Sequence, residues 1–144
     1  MKKEEKALET FSTGLNCAQS VLSSFAAELG LEGDKALKIA AGFGGGMGRL
    51  GGTCGAVTGA FMVIGLTQGH TAGEDKAGKE ATYALVRQFA GDFSEKHGSI
   101  LCRELLGHDI STAKGYRDAA LSGVFKTLCP RFVKSAVQIL DNLL

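Results

Sequence analysis

A chain of 144 residues is long enough for one domain with a full hydrophobic core and too short for two comfortable ones. Apolar residues make up 44% and charged residues 22%, an ordinary globular balance. The formal net charge is +1 with the 16 Lys and Arg scattered, which argues against a polyanion-binding surface and against nucleic acid as a partner.

The segment Met1 to Lys6 is charged and then turns amphipathic. It has neither the apolar stretch of a secretory signal nor a twin-arginine pair, so a cytoplasmic location is expected, where static disulfides are the exception. Apolar periodicity is helical from here on. Ala18, Val21, Leu22, Phe25, Ala26 and Leu29 follow a 3.6-residue repeat, and Phe132, Val133, Ala136, Val137, Leu140, Leu143 and Leu144 do the same at the far end. Leu85, Phe89 and Phe93 form a narrower stripe at spacing four. No segment alternates with period two, and no Asn-Gly or Asp-Gly hairpin turn occurs, so sheet is not expected. Helices are predicted over 3–12, 17–29, 34–42, 54–66, 74–96, 100–106, 111–122 and 130–143. Gly14, Gly30, Gly33, Gly69, Gly98 and Gly107 fall at the breaks as candidate C-terminal stops. The fold class is therefore all-α: a single helical domain over 1–144. The 54–66 helix is expected at its centre because it is apolar all round, and at about 13 residues it falls short of the ~20 needed for a membrane span.

Glycine is high at 21, against one proline and no tryptophan. Eight glycines fall at 42, 44, 45, 46, 48, 51, 52 and 55. Such a run permits positive φ and close backbone approach, so a helix, a partner chain or a ligand is expected against it. Gly46 to Gly51 formally fits G-x-G-x-x-G, but a helical segment precedes it where a dinucleotide site needs a strand. A looser anion nest with Arg49 is the alternative.

The four cysteines fall at 17, 54, 102 and 129. Asn16 and Thr53 are natural N-caps for helices beginning at Cys17 and Cys54, Ser99 for one whose third residue is Cys102, and Cys129 precedes a helix-starting Pro130. A first helical turn presents unpaired N–H groups and partial positive charge, which favour thiolate over thiol. Thiolates bind metals, attack disulfides and are oxidised. The gaps of 37, 48 and 27 residues contain no C-x-x-C pair, unlike a local zinc clip. Isolated thiols can still converge to ligate an iron–sulfur cluster or zinc, to cycle as two dithiols, or to serve as buried apolar filler. In Cys54-Gly-Ala-Val-Thr-Gly59 the two glycines lie one turn apart on one face, widened by Ala56 and Ala60. This face gives room beside the Cys54 sulfur, tight packing within the monomer, or a homo-oligomer contact. His70, His97 and His108 lie in glycine-containing turns and are expected to be exposed.

Asn16-Cys-Ala-Gln-Ser-Val21, Cys54-Gly-Ala-Val-Thr-Gly59 and single cysteines at 102 and 129 resemble the C-GCAxxG-C-C family over essentially the whole chain. Its members are bacterial proteins described as redox-active. The resemblance implies a functional set of Cys17, Cys54, Cys102 and Cys129, as redox residues or metal ligands, framed by Gly55, Ala56 and Gly59 beside a cofactor, and it names no substrate. The function read from the chain is a redox-active or iron–sulfur- or zinc-binding protein, with a metal-free dithiol oxidoreductase or a structural interaction protein as alternatives. Cys17 and Cys54 are the leading pair, with Cys102 and Cys129 completing a cluster or acting as resolving thiols. An electron-transfer partner is implied.

Overall fold

The computed structural model describes residues 1–144. It is all-α: α1 (Lys3–Ser12), α2 (Cys17–Ala26), α3 (Gly33–Ala40), α4 (Gly55–Gln68), α5 (Lys76–His97), α6 (Cys102–Leu106), α7 (Ala113–Ser122), α8 (Val124–Thr127) and α9 (Cys129–Leu143), with a 3-10 turn at Ala41–Phe43. α8, a single turn set off from α9 by Leu128, has no counterpart among the predicted helices. Of the expected stops, Gly33 opens α3 and Gly69 is extended; the left-handed stop at Gly123 was not foreseen.

α2, α4 and α9 touch one another and form the centre; α1 covers α2 and α9, and α5 covers α4 and α9. α4 is central as expected, burying Ala56, Val57, Ala60, Val63 and Ile64. The Phe stripe of α5 packs inward, Phe89 edge-on to Phe61 at 6.0 Å and Phe93 against Phe132 at 6.1 Å. Asn16 caps α2 reciprocally with Gln19: the Gln19 amide donates to Asn16 Oδ1 (2.8 Å) and the Asn16 amide to Gln19 Oε1 (3.0 Å). The same two side chains reach across to the Ala41 and Leu37 carbonyls, tying the start of α2 to the end of α3.

The closest helix contact needs glycine. A Cβ on Gly59 would stand 2.9 Å from the Ala18 carbonyl oxygen and 3.1 Å from its Cα, and one on Gly55 3.0 Å from the Ala18 nitrogen. Gly55 lies beside Cys17 and Ala18, Gly59 beside Ala18 and Val21, so α2 and α4 run parallel and start at one level. This small-residue face is filled by α2 of the same chain, the tight-packing alternative for the motif. Lys3 lies within 3.9 Å of Asp141, so α1 runs opposite to α9, and α9 therefore parallel to α2.

His97 departs from its expected exposed position. Its ring packs on Phe93 (4.7 Å) and Phe132 (5.0 Å), and Nε2 lies 2.9 Å from Ser135 Oγ. A loop reading fails because α5 runs through to His97 before Gly98 turns it with φ 89°.

Two predictions follow from this packing. Gly59→Val should force α2 from α4 at a cost of about 1–3 kcal/mol, read as a lower denaturant midpoint; an unchanged midpoint would mean the helices are not so close. Burial, and then Lys96, hold the His97 imidazole below its ordinary 6.5. The unfolded chain thus takes up the proton more readily, and stability should be full above 6.5 and decline as pH falls through it. Denaturant midpoints between about pH 7.5 and 5.5 should show this decline in the parent and a smaller one in His97→Gln.

Candidate functional site: a cysteine-lined cavity

Because α2, α4 and α9 start at one end of the bundle, so do their cysteines. Cys17 and Cys129 open α2 and α9, and Cys54 is the residue before α4. A short backbone pairing brings in the fourth. Thr53 bridges Leu101 in antiparallel fashion; the Cys54 amide donates to the Ile100 carbonyl (2.8 Å) and the Cys102 amide to that of Gly52 (2.6 Å). Cys54 and Cys102 therefore lie diagonally on the same face of this ladder. Cys54 is thus the cap rather than the first helical residue, Cys102 is first rather than third, and Cys129 is inside its helix rather than capping it.

All four cysteines line one cavity of about 570 Å³. Phe11, Leu105, Leu106, Ile110, Phe125 and Phe132 contribute apolar wall, and Tyr116 and Arg49 polar atoms. The glycine run supplies another side through Gly44, Gly45, Gly46 and Gly48. It is neither a free linker nor a dinucleotide loop. Five consecutive residues, Gly45 to Arg49, have φ between 57° and 69°, a left-handed turn. Its bonds run backward from Gly48 to Gly42, Arg49 to Gly44, Gly51 to Gly45 and Gly52 to Gly46. L-residues pay about 1–2 kcal/mol each in this conformation, which glycine at 45, 46 and 48 avoids and Met47 and Arg49 do not. A Cβ on Gly46 would meet that of Cys102 at 2.8 Å, so the turn packs directly on the cysteine ladder.

The thiols differ in their surroundings. Cys54 and Cys102 are buried, while Cys17 and Cys129 are partly accessible. Burial pushes Cys54 up to about 12, although the Ala56 and Val57 amides pull the other way. Burial likewise raises Cys102 to about 11, with the nearby Cys129 adding to it. A helix start was expected to favour thiolate at all four; for these two, loss of water outweighs the dipole. Cys17 and Cys129 are neighbours on the cavity wall and act on each other. Cys17 keeps its proton, held chiefly by its interaction with the Cys129 sulfur and then by burial, while that interaction lowers Cys129 below the ordinary thiol value against the effect of burial. The chemically distinct pair is thus Cys17 with Cys129, not Cys17 with Cys54.

Gly55 lines the cavity, but with Gly59 its contacts are to α2; Ala56 is fully buried. No three or more Cys, His, Asp or Glu side chains are grouped so as to hold a metal ion. As arranged, the thiols do not fit an iron–sulfur or zinc ligand set. Tyr116, Phe125 and Phe132 escaped the sequence reading as wall residues, since nothing local in their segments marks a cavity.

Fold and site define an all-helical protein that gathers free thiols at one end of a bundle. The chain belongs to the family described as "Putative redox-active protein (C_GCAxxG_C_C)", which it matches over residues 15–143. No curated protein and no solved structure matches it. No helix is long and apolar enough to cross a membrane.

The interaction of Cys17 with Cys129 predicts an order of labelling. With iodoacetamide, Cys129 should react first and at lower pH than an ordinary thiol, and Cys54 and Cys102 last. Cys17→Ala removes the partner and should move the Cys129 inflection upward, and Cys17→Ser should restore part of the shift. An inflection indifferent to residue 17 would refute the pairing.

Proposed function

We propose that this protein is a thiol–disulfide oxidoreductase in which Cys129 is the attacking thiolate and Cys17 the resolving thiol. The observation that carries the reading is that Cys17 and Cys129 open α2 and α9 on the wall of one cavity and are the two partly accessible thiols; their mutual influence, which raises Cys17 and lowers Cys129, assigns the roles. The Cys129 thiolate attacks one sulfur of an organic disulfide. The protein–ligand mixed disulfide forms, the ligand's S–S bond breaks, and the departing thiolate takes the proton that Cys17 gives up. Cys17 then attacks the Cys129 sulfur, forms the intramolecular disulfide and expels the second ligand thiolate, which is protonated by water. Two protein thiols are oxidised and one organic disulfide is reduced to two thiols; an electron-transfer partner must reduce the protein again.

Cys54 and Cys102, with their raised proton affinities, form a reserve dithiol behind the first. Gly55, Ala56 and Gly59 serve as the frame that seats α2, and so Cys17, on α4. The single core of 25 buried residues supports treating 1–144 as one domain, and four free thiols suit a reducing compartment such as the cytoplasm. A second reading, a zinc or iron–sulfur centre on the four cysteines, is favoured by their common cavity and requires the thiols to move.

Protein purified without air, assayed for metal and equilibrated with graded glutathione redox buffers, separates these readings after alkylation and peptide mapping. The dithiol reading expects two thiols lost reversibly as a Cys17–Cys129 disulfide before Cys54 or Cys102 changes. Four thiols inert until denaturation would sink it. Stoichiometric metal with all thiols protected would establish the second reading instead.

A further inference from the structure

We infer that the cavity selects a low-molecular-mass organic disulfide bearing a carboxylate, and that Arg49 is the residue that binds the carboxylate. The inference rests on the dithiol reading for its chemistry, and on separate observations for its charge.

A volume of about 570 Å³ falls in the range of cavities that enclose a small organic molecule, and the aromatic and aliphatic walls suit an apolar body. Arg49 is the only Arg, Lys, His, Asp or Glu on its lining. The guanidinium lies over the Tyr116 ring, 4.2 Å from its centroid, and no carboxylate pairs with it. Asp109, beside the neighbouring Gly51, is engaged by the Ser111 amide and lies outside the lining. Stacking fixes the plane of an arginine fork and leaves its edge donors for a planar carboxylate.

The backbone points the same way. Arg49 is held at φ 66°, although the exposed Met47 and Leu50 around it bury little that would repay the strain. Arg49 is itself exposed, yet it lines the cavity and carries its guanidinium over Tyr116. At the start of the same left-handed turn, the amides of Gly45 and Gly46 donate to no protein acceptor, and both residues line the cavity. With the starts of α2, α4 and α9 at the same end, the surroundings are electropositive and hold no fixed anion except a cysteine thiolate. A carboxylate on the ligand supplies the missing charge while its disulfide sulfur meets Cys129.

The test uses three disulfides: dithiobis(nitrobenzoate), an aromatic dianion; dithiodipyridine, aromatic and neutral; and cystamine, a dication. Each rate with the reduced full-length protein is divided by the rate with mercaptoethanol, removing intrinsic reactivity. Binding is measured separately by calorimetry, with the unreactive thioether thiodibenzoate and the Cys17→Ser, Cys129→Ser double variant. The expected order is dianion over neutral over dication. Arg49→Gln should reduce the dianion's advantage about tenfold, as for loss of a charge-assisted bidentate contact, and Arg49→Lys should keep a larger share. Thermal unfolding midpoints of the Arg49 variants check that the fold is retained. Disulfide reduction with no charge order, or with an order that Arg49→Gln leaves intact, overturns the inference while leaving the dithiol reading standing. Arg49-dependent binding of thiodibenzoate without reduction of any disulfide upholds the anion site and defeats the dithiol reading instead.

Discussion

The close approach of α2 to α4, with no Cβ between them at Gly55 or Gly59, is the constraint on which the site depends. It sets the two helices parallel and starts them together, so that Cys17 and Cys54 arrive at the same end of the bundle. Parallel neighbours with aligned starts place like partial charges side by side, an electrostatic cost that an all-antiparallel bundle avoids. Here the cost is concentrated at one end, and the thiols and the cavity are found there. A helix contact and a chemical environment are thus consequences of the same two missing methyl groups.

Around that end, three kinds of local structure bring in what the helices alone would not. The Thr53–Leu101 bridge recruits Cys102, from 48 residues further along, by backbone hydrogen bonds that depend on no particular side chain. The left-handed turn lays glycine backbone against the Cys102 Cβ, where any side chain would collide. α9 follows α8 after the single residue Leu128 and sets Cys129 against Cys17. The thiols then divide into a partly accessible pair, in which Cys17 holds its proton and Cys129 is lowered, and a buried pair whose protons burial holds. Under the proposed chemistry this ordering, rather than proximity alone, determines which thiol attacks and which resolves.

Much of the fold was legible in the chain. The stripes of α2 and α9 could be read at 3.6-residue spacing and that of α5 at spacing four because their large apolar side chains turn into the core, and Asn16 announced the start of α2 because its side chain satisfies an amide three residues on. α8 was not legible: four residues carry too little periodicity. His97 was misread because a glycine neighbour signals a turn, whereas α5 ends only after His97 has packed against Phe93 and edge-on to Phe132.

For the site, the chain by itself determined the thiol inventory, the helical frame and the need for glycine between residues 42 and 59. These are local matters of composition, periodicity and backbone freedom. Only the tertiary structure decided which thiols meet, because their separations of 37, 48 and 27 residues carry no information about pairing. It also decided which thiol is acidic. Helix position, visible in sequence, pulls every one of the four toward the thiolate. Desolvation and the interaction of Cys17 with Cys129 exist only after folding, and they are the larger effects.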